Sequence, residues 1–116
     1  MSGWTEWREI ARGGEWFDDL LDWDGPACYE LAIAGPRGGD LHIVYVGETI
    51  NEKRRLAAYA RSGSHLADLV ATHLHDGWSL YYRAQAMSSK ASAKRMQDSL
   101  LLHHEYDWNT LMNPRD

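Results

Sequence analysis

The chain has 116 residues, enough for one hydrophobic core and small for two. Apolar residues make up 44%, six tryptophans and six tyrosines supply large side chains, and no apolar run approaches the length of a membrane span. Seventeen acids against twelve Lys and Arg give −5, which argues against a generally basic nucleic-acid coat, and a single cysteine, Cys28, excludes an intramolecular disulfide and cannot build a zinc site unaided.

The charge is unevenly spread. Residues 1–26 hold seven of the acids and only Arg8 and Arg12, a net −5, whereas residues 27–116 hold ten of each sign and are neutral. Lys53-Arg54-Arg55 and Lys90, Lys94, Arg95 form local basic clusters. Local charge decides whether a phosphate backbone can dock, although a basic run taken alone is most often a solvated helix face. The N-terminus opens with acids and Trp instead of a basic region and an apolar block, so no secretory signal is expected. A reducing, cytoplasmic setting suits the lone thiol.

Residues 4–22 are predicted as one or two short amphipathic helices broken at Gly13-Gly14, with Trp4, Trp7, Trp16, Phe17, Leu20 and Leu21 as their apolar set. Asp24-Gly25-Pro26 closes this acidic, Trp-rich helical extension, residues 1–26. Its acids suit a solvated helix face. They could also dock on a basic helix, or join the tryptophans in binding a partner.

Residues 27–34, "ACYELAIA", alternate as a strand with Tyr29, Leu31 and Ile33 on one face, and residues 41–46, "LHIVYV", as a second. "GPRGGD" between them is a turn. The midpoint of Tyr29 and Tyr45 is position 37, so a regular hairpin sets the two tyrosines directly opposite on one face. After Gly47, "TINE" (Thr49 to Glu52) has the form of a capping box and predicts a helix to about Ala60, with Arg55 and Tyr59 at i and i+4 on one side. A helix from Ser64 to His75, a third strand over 78–86, and a long helix from Ser88 or Ser89 to His104 follow. The apolar stripe of that last helix reads Ala93, Met96, Gln97, Leu100, Leu101, His104, which sets an amide where an unpaired one is unfavourable. The six histidines are adjacent or at spacings that diverge on a helix, or lack a partner, and read as structural or surface residues.

Tyr29 in "CYEL", Tyr45 in "YVG", Arg55 ten residues later, and Asn109 twelve residues after Gln97 in "QDSLLLHHEYDWN" resemble the GIY-YIG nuclease family over roughly residues 27–113. The resemblance implies an α/β (α+β) domain, a small three-stranded antiparallel sheet flanked by helices. It also implies endonuclease action on DNA with Mg²⁺ (or Mn²⁺), one ion per site. In its terms Tyr29 positions or deprotonates the water, Tyr45 hydrogen-bonds the phosphate or assists that transfer, and Arg55 clamps the phosphate with its fork of donors. Tyr59 stands where some members carry a catalytic histidine, and Asn109 ties the last helix to the site. Lys53 and Arg54, with Gly47 and Thr49 of the turn, are the expected DNA contacts.

The family's metal-binding glutamate falls at Gln97. An amide keeps the shape and loses the charge, so the resemblance implies a hydrolysis rate lowered by orders of magnitude. Asp98 points about 100° away around the helix and Glu105 lies about two turns on, so neither replaces it. Either Gln97 is an engineered exchange that traps substrate, or the natural protein binds without cutting. The leading expectation is an impaired DNA endonuclease. The alternatives are an inactive module of the same fold that binds nucleic acid or protein, and an acidic adaptor or inhibitor acting through residues 1–26. In a domain this small, sequence-specific cutting needs a homodimer, a protein partner or recognition by the domain itself. No membrane partner is expected.

Overall fold

The elements run β1 (Arg8–Arg12), β2 (Glu15–Trp16), β3 (Ala27–Gly35), β4 (Gly38–Thr49), α1 (His65–His75), β5 (Ser79–Ala86), α2 (Lys90–His103) and α3 (Asp107–Met112). They belong to a computed structural model that describes residues 3–13, 15–16, 25–50 and 65–112. The five strands form one antiparallel sheet in the order β2-β1-β5-β3-β4. Helices flank this sheet, so the α+β class expected from the sequence holds with two more strands than the three predicted. No helix among the described residues is long and apolar enough to cross a membrane.

β3 lies between β4 and β5 and is buried from Ala27 through Ala34, which explains its near-continuous small and apolar run. Alternation along it sorts the two cores. Tyr29, Leu31 and Ile33 meet Leu66, Val70 and Leu74 of α1, together with Leu80, Tyr82 and Trp108. On the other face, Cys28 joins Val46 and Tyr106, against which Met96, Leu100 and Leu101 of α2 pack. α3 therefore straddles the edge strand β4, placing Tyr106 just before it in one core and Trp108 in the other. The sequence reading missed this helix, which is only six residues long.

Several local predictions hold. Ser89 is the N-cap of α2, its Oγ accepting from the Ser92 N–H at 3.1 Å, and α1 stops ahead of Gly77, which adopts φ +90°. Within the predicted stripe only Ala93 is fully buried, and His104 is exposed beyond the end of α2 as its C-cap. The predicted helix carrying Lys53, Arg54, Arg55 and Tyr59 lies outside the described residues.

Two expectations are corrected. The N-terminal segment is not helical over 8–12 and 15–16. β1 pairs with β5 at the side of the sheet and turns into β2 across a two-residue connection, with Arg12 opposite Glu15 and Gly13 at φ +59°. Trp4 and Trp7 are three apart, as on a helix face, but they share a different neighbour, Arg83. The second correction is register. Tyr29 stands opposite Gly47, and Leu31 opposite Tyr45, because the pairing shifts between Leu31 and Ala32 and again near the turn. The extra residues in β4 displace the pairing by two positions, so the tyrosines move from directly opposed to diagonal and, the displacement being even, stay on one face.

Candidate functional site

β4 is the terminal strand of the sheet, and Val46 turns its peptide groups to the open edge. The Asn109 carboxamide closes that edge: the Val46 N–H donates to Oδ1 at 2.8 Å, and Nδ2 donates to the Val46 carbonyl at 2.9 Å. A carboxamide offers one donor and one acceptor side by side, as a neighbouring strand would, so a single side chain satisfies an edge peptide and fastens α3 to β4. Gln97 Nε2 donates to the same carbonyl from α2 at 3.4 Å. An ionised glutamate has no proton to give there.

The next residue, Gly47, carries the tyrosines. A Cβ at this position would lie 2.5 Å from both Cζ and Oη of Tyr29, so the ring rests directly on the glycine backbone. Tyr45 lies two residues earlier on the same face, its ring centroid 6.1 Å from that of Tyr29 at an interplanar angle of 39°. Tyr29 is core, at 1% exposure, whereas Tyr45 is half-buried and nearer solvent. Gly47 and Thr49, expected as DNA contacts, are both buried: the first receives the Tyr29 ring, and the second ends β4 opposite Ala27. Tyr29, Tyr45, Gly47, Gln97 and Asn109 thus gather at one stretch of the edge strand. Arg55, Tyr59, Lys53 and Arg54 fall outside the described residues.

The sequence reading missed a buried polar network next to this stretch. Glu30, 3% exposed, accepts from Arg83 Nε at 2.7 Å and Nη2 at 2.6 Å on one oxygen, and from the Tyr106 hydroxyl at 2.6 Å on the other. The Arg83 guanidinium lies 4.6 Å from the Trp4 ring centroid and 4.7 Å from that of Trp7, held between two aromatic faces. Burial, and then the hydrogen bond to Glu30, push the Tyr106 hydroxyl well above its ordinary range. Burial, with Glu30 and Glu48 adding to it, pushes the Cys28 thiol up to about 12. That removes Cys28 as a nucleophile at neutral pH. A charged residue midway along an apolar strand was the available signal for Glu30, but its partner is set by register: Glu30 pairs directly with Arg83 across β3 and β5.

Between α2 and α3 lies a groove of about 460 Å³, whose lining includes Lys94, Gln97, Leu101, Tyr106 and Asn109. The two amides that hold Val46 therefore also line an open groove. Among the described residues no group of three or more His, Cys, Asp or Glu side chains is placed to hold a metal ion. Hard oxygen is nevertheless offered by the Gln97 amide and by Glu48, two residues after Val46 on β4, whose Oε2 is buried without a hydrogen-bond partner among the described residues. Mg²⁺ commonly takes one or two carboxylates and completes its shell with water and substrate phosphate, so a small donor set of this kind fits it and a dedicated cage is not required.

A family model described as "GIY-YIG domain-containing protein" matches residues 3–116. The chain is 29% identical to Protein EFFECTOR OF TRANSCRIPTION 3 of Arabidopsis thaliana over an alignment of 133 residues, covering 94% of this chain and 50% of that protein. It thus spans about half the length of this curated relative. No solved structure matches the chain. Carried by a match that runs through almost its whole length, the chain belongs to the GIY-YIG domain family.

Proposed function

We propose that the chain is a nuclease-type domain that binds DNA and hydrolyses its phosphodiester bonds with Mg²⁺ or Mn²⁺, at a rate lowered by Gln97. The observation that carries this reading is the convergence of Tyr29, Tyr45, Gly47, Gln97 and Asn109 on one stretch of the edge strand. Tyr45, the less buried of the two tyrosines, is suited to hydrogen-bonding a phosphate oxygen, and Tyr29 to orienting the attacking water. A tyrosine with its ordinary pKa of about 10 is a poor base and needs cationic help. Arg55 supplies a permanent charge and a planar fork for the phosphate. A divalent ion, when bound, supplies further positive charge for the developing oxyanion.

One observation favours a second reading. Gln97 spends its N–H on the Val46 carbonyl, which suits a residue that holds a strand in place. A domain with that arrangement binds DNA without cutting it. The Arabidopsis relative is named an effector of transcription, which is compatible with either reading. The adaptor reading is weaker, because Trp4 and Trp7 are engaged with Arg83 and are not freely offered to a partner.

Binding to a short DNA duplex, titrated across salt concentrations, tests the proposal. Affinity should fall steeply with salt, and Arg55→Ala should weaken it about tenfold or more, as expected for a charge-assisted phosphate contact. Unchanged binding by Arg55→Ala would show that the phosphate site is elsewhere.

A further inference from the structure

Glu48 follows Gly47 on β4 and faces Cys28 across the β3–β4 ladder. Strand alternation sets it on the same side of the sheet as Val46, the side covered by α2. The residue is half-buried, and its Oε2 is closed to solvent with no hydrogen-bond partner among the described residues. Among the described residues no other buried side-chain nitrogen or oxygen is left in this state. Arg83, which neutralises the other buried carboxylate, is committed to Glu30. An unpaired buried carboxylate oxygen is unfavourable, and such atoms in native proteins mark places completed by something else.

We propose that Glu48 is the metal-binding carboxylate of this chain. It offers, from the strand, the negative charge that α2 lacks at Gln97. Gln97 donates through Nε2 to Val46, two residues before Glu48, which leaves its carbonyl oxygen as the atom available to an ion. Residues two apart on a strand project from one face, which sets the Glu48 side chain on the side of the sheet where α2 carries Gln97. Glu48 and Gln97 together hold a hydrated Mg²⁺ or Mn²⁺ ion, leaving the remaining positions to water and phosphate oxygens. This proposal rests on the nuclease-type reading, but it concerns metal affinity without DNA and is therefore separately testable.

The test is Mn²⁺ binding by the full chain, followed by electron paramagnetic resonance, with thermal melting measured alongside. The native chain should bind one Mn²⁺ and melt higher in its presence. Glu48→Gln should bind at least tenfold more weakly, gain no melting temperature from Mn²⁺, and melt no lower than the native chain when metal is absent. Equal Mn²⁺ affinity in both proteins, or no binding by the native chain, overturns the proposal. So does a metal-free Glu48→Gln that melts lower, because Glu48 would then have a partner within the protein. Mn²⁺ binding that depends on Glu48 without DNA cleavage would uphold this site and sink the nuclease reading. Cleavage accompanied by undiminished Mn²⁺ binding in Glu48→Gln would do the reverse.

Discussion

A methyl group at position 47 would overlap the Tyr29 ring, and it could be accommodated only by moving a buried aromatic or the edge strand. Gly47→Ala should therefore lower stability by about 1–3 kcal/mol, the usual range for overpacking, as read from urea unfolding. Combining it with Tyr29→Ala should be less destabilising than the sum of the two single changes, and strict additivity would mean that the ring does not rest on Gly47. Asn109→Asp removes the donor to the Val46 carbonyl while keeping the size, and should destabilise by about 1–3 kcal/mol. Cys28 gives a pH prediction. Its pKa rises on folding from near 9 to about 12, so the stability linked to its neutral form is complete below pH 9 and is lost as pH climbs toward 12. Denaturant titrations from pH 8 to 11 should show that decline, and at pH 8 a thiol reagent should label Cys28 only as fast as the protein unfolds. That Tyr29 and Tyr45 share one face of the hairpin is legible because their spacing is carried by the chain itself, whereas the burial of Gly47 under the Tyr29 ring is not. Nor is the pairing of Glu30 with Arg83: they are 53 residues apart, and only the β3–β5 register brings them together.

At the scale of elements, periodic signals named the strands and helices well where one face is buried, and poorly where aromatics serve something other than a core. Trp4 and Trp7 look like a helix stripe but sandwich a guanidinium, and Thr5 bonds Ala84 of β5 through both its N–H and its hydroxyl oxygen. Gly13-Gly14 suits a helix break, but a two-glycine link between short runs is equally a hairpin signal. The β3–β4 register could not be read from symmetry about the turn, because a bulge leaves no mark in residue spacing. This architecture makes the segment before β1 a clamp on the Glu30–Arg83 pair. Arg83→Ala strands Glu30 as a buried charge and should destabilise by about 3 kcal/mol, the low end for breaking such a pair because 27% of the Arg83 side chain remains exposed. Trp4→Ala with Trp7→Ala should lower the melting temperature by loosening Arg83 while leaving Glu30 paired, hence by less than Arg83→Ala does. A double tryptophan variant as unstable as Arg83→Ala would mean that the aromatic faces, and not the ion pair, hold this corner.

For the molecule as a whole, a net charge of −5 conceals a body that is neutral beyond residue 26, so the DNA binding proposed here must rest on local charge and should weaken with salt. Tyr45 and Glu48 lie on the terminal strand, the two amides bond its Val46, and the buried Tyr29 rests on its Gly47. Position 97 carries a neutral side chain that donates to Val46, where the family resemblance implies a charged glutamate. The most direct test is Mg²⁺-dependent cleavage of single- and double-stranded DNA by the native chain and by Gln97→Glu, compared under identical conditions. The account predicts slow cleavage by the native chain and a rate at least about 100-fold higher for Gln97→Glu, the scale of one electrostatic contribution to catalysis. Native cleavage as fast as that of Gln97→Glu would contradict it.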